Sequence, residues 1–312
     1  MADVTLTVNG QKAVVAAGIT VLEAAQGLGY FIPTFCHEKD LTAPGSCRIC
    51  VVEIKGMRNL PASCVTTVAE GMIIETESPA VVEARKTILE LMIANHPLDC
   101  MTCEKTGSCK LQDYAYRYGV SSVTAFAGEK HEFPVEDSNP YIYRDLNKCI
   151  LCGKCVATCK AVNDRNVIDF AYRGFNTKVA TFMDTELKDS ACVYCNRCVS
   201  VCPVGALIDK NMMGKGRAWE LTKEETTCTF CESGCKFDIN YKNGKVVGVT
   251  AKSAENGRPL CLKGRMGSDF RYNPNRTELP LMNQNGEFVQ VPWEEFLGLG
   301  NIVEKINSLK KA

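Results

Sequence analysis

Nineteen cysteines fall in spaced runs, and that spacing constrains this 312-residue chain more than any other feature. The runs are Cys36, Cys47, Cys50 and Cys64; Cys100, Cys103 and Cys109, preceded by His96; Cys149, Cys152, Cys155 and Cys159; Cys192, Cys195, Cys198 and Cys202; and Cys228, Cys231, Cys235 and Cys261. The opening residues lack the basic and apolar regions of an export signal, so a cytoplasmic chain is expected. Thiols are kept reduced in that compartment, which argues against a disulfide framework and for metal ligation.

Apolar residues make up 46%, enough to bury cores, so the chain should fold. Basic and acidic residues number 36 each, which leaves no net charge to hold nucleic acid or an anionic membrane surface. No stretch reaches 18 consecutive apolar residues, so no membrane span is expected.

Val4, Leu6 and Val8 alternate with threonines before Asn9-Gly10, a two-residue hairpin signal, and Ala13, Val14 and Val15 return. Thr20 and Glu23 form a capping box that opens a short helix, closed by Gly27 and Gly29. Ser78-Pro79 opens a longer helix with Val81, Ala84, Ile88, Leu89, Met92 and Ile93 at helical spacing, stopping near Asn95-His96-Pro97. Residues 120–144 read as loop, and a domain boundary is placed there. Asn243-Gly244 between Phe237–Tyr241 and Lys245–Thr250 predicts a second hairpin, Phe288–Val291 a further strand, and Trp293–Leu309 one C-terminal helix.

Cys36, Cys47, Cys50 and Cys64 stand as C-x10-C-x2-C-x13-C, with Pro44 and Gly45 allowing a tight loop before the central pair. Four soft thiolates suit a 2Fe-2S cluster, the close pair gripping one iron. His37 adjoins Cys36 but is surplus to a complete set of four. His96, Cys100, Cys103 and Cys109 make H-x3-C-x2-C-x5-C, in which His96 either completes a ligand set or caps the helix end. Zinc is the alternative for any single C-x2-C pair, and two four-cysteine runs in tandem disfavour it.

Cys149 to Cys159 and Cys192 to Cys202 each repeat C-x2-C-x2-C-x3-C, the second followed by Pro203, and so resemble the bacterial two-cluster ferredoxin. In that motif the fourth cysteine of each run crosses over. The resemblance thus implies one 4Fe-4S cluster on Cys149, Cys152, Cys155 and Cys202, and another on Cys192, Cys195, Cys198 and Cys159. Cys228-x2-Cys231-x3-Cys235-x25-Cys261, followed by Leu262-Lys263-Gly264-Arg265, resembles the 4Fe-4S domain that opens molybdopterin oxidoreductases, where the lysine corresponding to Lys263 lies between cluster and pterin.

Taken in order, the groups resemble the N-terminal iron-sulfur region of the complex I large iron-sulfur subunit and of NAD-dependent formate dehydrogenase alpha subunits, over residues 1–275. The resemblance implies an α+β, multidomain iron-sulfur protein. A β-grasp 2Fe-2S ferredoxin domain would occupy 1–77, a helical 4Fe-4S domain with one histidine and three cysteine ligands 78–119, and a two-cluster 4Fe-4S ferredoxin domain 138–212. A small β-rich molybdopterin-type 4Fe-4S domain would occupy 221–275, with a short tail at 276–312. In the family His96 ligates its cluster, so the expected cofactors are one 2Fe-2S and four 4Fe-4S clusters, which use every cysteine and leave no thiol for catalysis.

Relatives of this kind continue into a catalytic domain, of which residues 279–295 look like the opening, so no molybdenum site is expected in this chain. An iron-only hydrogenase would need further cysteines for its active-site cluster. No G-x-G-x-x-G follows a strand and no phosphate-binding P-loop is present, which places FMN or FAD and NAD(P) on partner subunits. The resemblance implies an electron-transfer subunit of a hetero-oligomeric, flavin-dependent oxidoreductase, relaying electrons between NAD(P)H-linked flavoprotein subunits and ferredoxin, with electron bifurcation suited to the architecture. The alternative is the electron-transfer subunit of a split NAD-dependent formate dehydrogenase or hydrogenase complex.

Overall fold

The computed structural model describes residues 2–38, 41–120, 126, 128–251, 261–266 and 277–310. The chain forms two compact units, Met1–Met266 and Gly267–Ala312.

The first unit opens with β1 (Asp3–Val8) and β2 (Gln11–Ala16), antiparallel across Asn9-Gly10. Both turn residues have positive φ, 48° and 81°, the mirror-image turn that matches strand twist. Thr20 and Glu23 form the reciprocal capping box of α1 (Val21–Gly27). β3 (Glu53–Ile54) and β4 (Ile73–Glu75) complete a mixed sheet of order β2-β1-β4-β3, with β1 and β4 parallel. Leu6, Val8, Val21, Leu22, Val52 and Ile74 fill the space between this sheet and α1, a β-grasp arrangement.

Ser78 caps α2 (Pro79–Ala94), which ends at Asn95 as its sequence predicts. The fully buried stripe is Val81, Arg85, Leu89 and Ile93, while Ala84, Ile88 and Met92 are only partly buried. The helix is therefore rotated from the face its apolar spacing suggests. The cause is Arg85, whose guanidinium donates to Glu77 (2.8 Å), the Tyr118 hydroxyl (2.8 Å) and the Val51 carbonyl (2.9 Å). With both terminal nitrogens hydrogen-bonded and a carboxylate beside it, a buried arginine can occupy a core position that an apolar residue would otherwise hold.

α3 (Lys110–Tyr118) packs on α2 and ends in left-handed Gly119. Within the stretch expected as loop, β5 (Ile142–Arg144) pairs with β8 (Leu207–Asp209), and residues 121–125 and 127 lie outside the described residues. Between them run α4 (Lys154–Asn163), the hairpin β6 (Ile168–Ala171) and β7 (Lys178–Thr181), and α5 (Arg197–Val201). One apolar core joins Phe35 and Ile49 to Leu89, Leu111, Ile142, Val179 and Val204, so the cysteine groups up to Cys202 share packing.

β9 (Thr222–Thr227), β10 (Lys236–Lys242) and β11 (Lys245–Ala251) form an antiparallel sheet of order β11-β10-β9, and α6 (Leu262–Met266) follows Cys261. The Asn243-Gly244 hairpin is as predicted, whereas β9 was not read from sequence. Residues 252–260 and 267–276, including part of the expected 221–275 domain, lie outside the described residues.

The second unit holds β12 (Leu281–Gln284) and β13 (Glu287–Gln290), then α7 (Trp293–Phe296) and α8 (Gly300–Leu309). The single helix expected over Trp293–Leu309 is two helices, because Gly298 adopts φ 66° and breaks the ladder. No helix among the described residues is long and apolar enough to cross a membrane.

Candidate metal centres

Cys36, Cys47, Cys50 and Cys64 come from the loop after α1, the β-grasp bend and the segment before β4, and all are buried. Cys50 Sγ and Cys64 Sγ lie 3.4 Å apart. The thiols of Cys47 and Cys64 hydrogen-bond toward Cys36 and hold it far below the usual thiol range, while Cys47 is pushed up by the same sharing. Four sulfurs linked by such contacts, with protons to surrender, form a donor set that fits a two-iron cluster. His37 beside them is half-buried, and burial holds its pKa below the ordinary value.

His96 sits in the turn after α2 and is 7% exposed. Leu98 N–H donates to its Nδ1 at 3.3 Å, while Nε2 is buried without a hydrogen-bond partner. A buried polar atom without a partner costs free energy, and an imidazole nitrogen so placed fits an iron ligand. Cys100, Cys103 and Cys109 are close enough for each thiolate to raise its neighbours' pKa, with burial the main cause at Cys100 and Cys109.

The two repeated runs adopt one backbone. Leu151 and Tyr194 have φ of 53° and 50°, and their N–H groups point at Cys149 Sγ and Cys192 Sγ, each at 3.4 Å. Gly153 and Asn196 then turn left-handed and start α4 and α5. Cys149, Cys152, Cys155 and Cys202 line one cavity, with Cys198 also on its wall. Cys159, Cys192, Cys195 and Cys198 line a second. The folded chain thus groups these cysteines in the crossed arrangement. Burial pushes Cys149 up to about 11 and Cys152 up to about 12, so ligation must displace their protons.

In the last set the Cys228 N–H donates to the Cys235 carbonyl at 2.8 Å, across a turn in which Gly234 has φ 61°. Cys228, Cys231 and Cys261 all act electrostatically on Cys235, whose thiol burial pushes up. Cys231 and Cys261 are exposed, as is Lys263. Among the described residues no group of three or more His, Cys, Asp or Glu converges on a point as a single ion would need.

Several residues at these sites carry no signal in the sequence. Ser46 Oγ lies 3.4 Å from the Cys152 carbonyl, and Lys154 pairs with Glu38 at 2.6 Å, so the Cys36 and Cys149 sites abut. Lys110 N–H donates to Pro203 O at 2.9 Å. A Cβ on Gly205 would lie 2.6 Å from Cys103 Sγ, so only glycine lets the two segments approach. Arg265, 1% exposed, donates to Tyr194 O (2.7 Å) and pairs with Asp209 (2.8 Å), tying the Cys261 segment to the Cys192 run.

Four family models match in sequence order. They are a 2Fe-2S iron-sulfur cluster binding domain (1–79), the NADH-ubiquinone oxidoreductase-G iron-sulfur binding region (85–124), a 4Fe-4S dicluster domain (148–206) and the molybdopterin oxidoreductase Fe4S4 domain (221–273). The chain is 38% identical to the G 2 subunit of NADH-quinone oxidoreductase of Rhizobium meliloti, over 94% of this chain and 34% of that protein. It is 36% identical to NADPH-Fe(3+) oxidoreductase subunit alpha of Geobacter sulfurreducens, over 89% of this chain and 33% of that one. It therefore spans about a third of the length of these curated relatives. A crystal structure of NAD+-reducing [NiFe]-hydrogenase in the H2-reduced state matches with TM-score 0.62 and 33% identity, covering 67% of this chain and 88% of that one. With the 2Fe-2S, 4Fe-4S and molybdopterin-type Fe4S4 domains in this order, the chain belongs to the G-type family of NADH-quinone oxidoreductase iron-sulfur subunits.

Proposed function

We propose that this chain is the electron-transfer subunit of a cytoplasmic, multi-subunit oxidoreductase, relaying electrons between NAD(P)H-linked flavoprotein subunits and ferredoxin. Clusters held by the five ligand sets would supply reversible one-electron chemistry at potentials set by ligation, charge and hydrogen bonding. The sets are Cys36, Cys47, Cys50 and Cys64 for 2Fe-2S, and four 4Fe-4S sets. These are His96 with Cys100, Cys103 and Cys109; Cys149, Cys152, Cys155 and Cys202; Cys159, Cys192, Cys195 and Cys198; and Cys228, Cys231, Cys235 and Cys261.

The observation that carries this reading is that neighbouring sets touch. The Cys149 set meets the 2Fe-2S set through Ser46, the His96 set through Lys110 and Pro203, and the Cys192 set through the wall shared at Cys198. Arg265 connects the Cys192 run to the Cys261 segment. A relay needs such short contacts at every step, and a row of independent structural metal sites does not.

Partner chemistry follows from the same residues. Every cysteine lies in a ligand set, so substrate conversion falls to flavin-bearing and NAD(P)-binding subunits. Ferredoxin as exchange partner, and bifurcation, complete the reading. The test is isolation of the native complex from its source. Co-purifying flavoprotein subunits with NAD(P)H-dependent ferredoxin reduction support it; a monomer lacking both outcomes sinks it.

A second reading, the electron-transfer subunit of a hydrogenase or split formate dehydrogenase complex, is favoured by two observations. One is the likeness to the NAD+-reducing [NiFe]-hydrogenase and to NADP-reducing hydrogenase subunit HndD of Solidesulfovibrio fructosivorans, which is 32% identical. The other is the molybdopterin-type domain match. Hydrogen uptake or formate oxidation by the purified complex distinguishes it.

A further inference from the structure

Lys148 stands directly before Cys149 in sequence, yet its side chain leaves that site. The ammonium pairs with Asp99 at 2.7 Å and with Asp145 at 3.4 Å, and the residue is 8% exposed. Asp99 lies between His96 and Cys100, and its main-chain oxygen accepts the Cys103 N–H at 3.0 Å. A Cβ built on Gly205 would touch both Cys103 Sγ, at 2.6 Å, and Lys148 Cδ, at 3.4 Å, so the lysine stem and the Cys103 sulfur flank the same glycine. A residue anchored in one ligand run thus delivers a buried cation to the next.

Burial makes that charge count. A cation held in low dielectric beside a group that gains negative charge on reduction stabilises the reduced form, and water screens it little. Asp99 and Asp145 hold the ammonium in place, and Asp99 Oδ1 is itself buried without a hydrogen-bond partner, so the carboxylate is committed to the lysine. Lys130 is a second cation near this turn, but it donates to the His96 carbonyl at 3.3 Å and so engages the main chain rather than the cysteine sulfurs.

We propose that Lys148 is a positioning residue that sets the potential at which the His96, Cys100, Cys103 and Cys109 site takes an electron, biasing exchange with the Cys149 site next to it. This rests on the cluster assignment proposed above and adds which residue governs the step between two of the sites. The charge acts on the neighbouring site and so sets a difference between the two, which is the quantity a relay uses.

The test is a redox titration, followed by electron paramagnetic resonance, of the full chain loaded with iron and sulfide. The signal is assigned to this site by its change of shape in His96→Cys. In Lys148→Met the reduced-to-oxidised ratio of the site at fixed poise falls about tenfold, which is about 59 mV for a one-electron couple. Lys148→Arg keeps the charge and stays within about twofold of the parent, and Asp99→Asn moves the ratio the opposite way. A Lys148→Met site that titrates as the parent overturns the proposal. Should that variant fail to load, an unchanged midpoint in Asp99→Asn overturns it equally. A parent chain with no His96-dependent signal overturns the cluster assignment itself, a different failure that these variants do not produce.

Discussion

The Lys110 N–H donates to the Pro203 carbonyl at 2.9 Å, and each of these residues directly follows a proposed ligand, Cys109 in one site and Cys202 in the other. Lys110 is also the first residue of α3, where a helix leaves its N–H without an internal partner. The orphaned donor of a helix start has been turned into the contact between two ligand sets.

That position allows a clean test. Proline is tolerated at the first turn of a helix, and Cys109 before it is extended, at φ −91° and ψ 112°. Lys110→Pro should keep α3, cost about 1 kcal/mol of stability for one lost hydrogen bond, and slow electron exchange between the His96 and Cys149 sites. Circular dichroism checks the helix and rapid-freeze paramagnetic resonance the exchange. An unchanged exchange rate with the helix intact removes this contact from the path.

Gly205→Ala should be disruptive although the backbone permits alanine there. The added Cβ would stand 2.6 Å from Cys103 Sγ, so either the sulfur or the chain must shift. The expected cost is about 1–3 kcal/mol, typical of overpacking, with selective loss of the His96-dependent signal. Denaturation and spectroscopy on the same variant read both.

The crossed ligation has its own signature. Cys202→Ala should remove the cluster of Cys149, Cys152 and Cys155 and leave the one at Cys192, Cys195 and Cys198; Cys159→Ala should do the reverse. Loss of the same-run cluster in each variant would show uncrossed sites.

Arg85→Met removes three hydrogen bonds and leaves the Val51 carbonyl and Tyr118 hydroxyl buried without their donor. Its cost should be about 3 kcal/mol, read as a lower denaturation midpoint, with the 2Fe-2S site disturbed because Val51 follows Cys50. A change under about 0.5 kcal/mol would mean the core closes around methionine without penalty.

What the sequence announced were features whose chemistry is local. Asn9-Gly10, Thr20 with Glu23, and Ser78-Pro79 each specify a turn or cap within a few residues, and each forms as expected. Cysteine spacing is likewise local in runs such as Cys149 to Cys159. The misses are long-range or uncompensated by pattern. Arg85 breaks the apolar period of α2 because its three acceptors lie elsewhere in the chain. β9 reads Thr-Lys-Glu-Glu-Thr-Thr with almost no buried residue, so no alternation marks it; only pairing with β10 makes it a strand. Lys148 looks like an ordinary surface cation until Asp99 and Gly205 close over it.

The central claim is that the five ligand sets hold one 2Fe-2S and four 4Fe-4S clusters, and it is tested most directly by iron and acid-labile sulfide analysis of the anaerobically purified, brown chain. The account predicts about 18 irons per chain, with an equal amount of sulfide. A colourless chain carrying zinc without sulfide would contradict it.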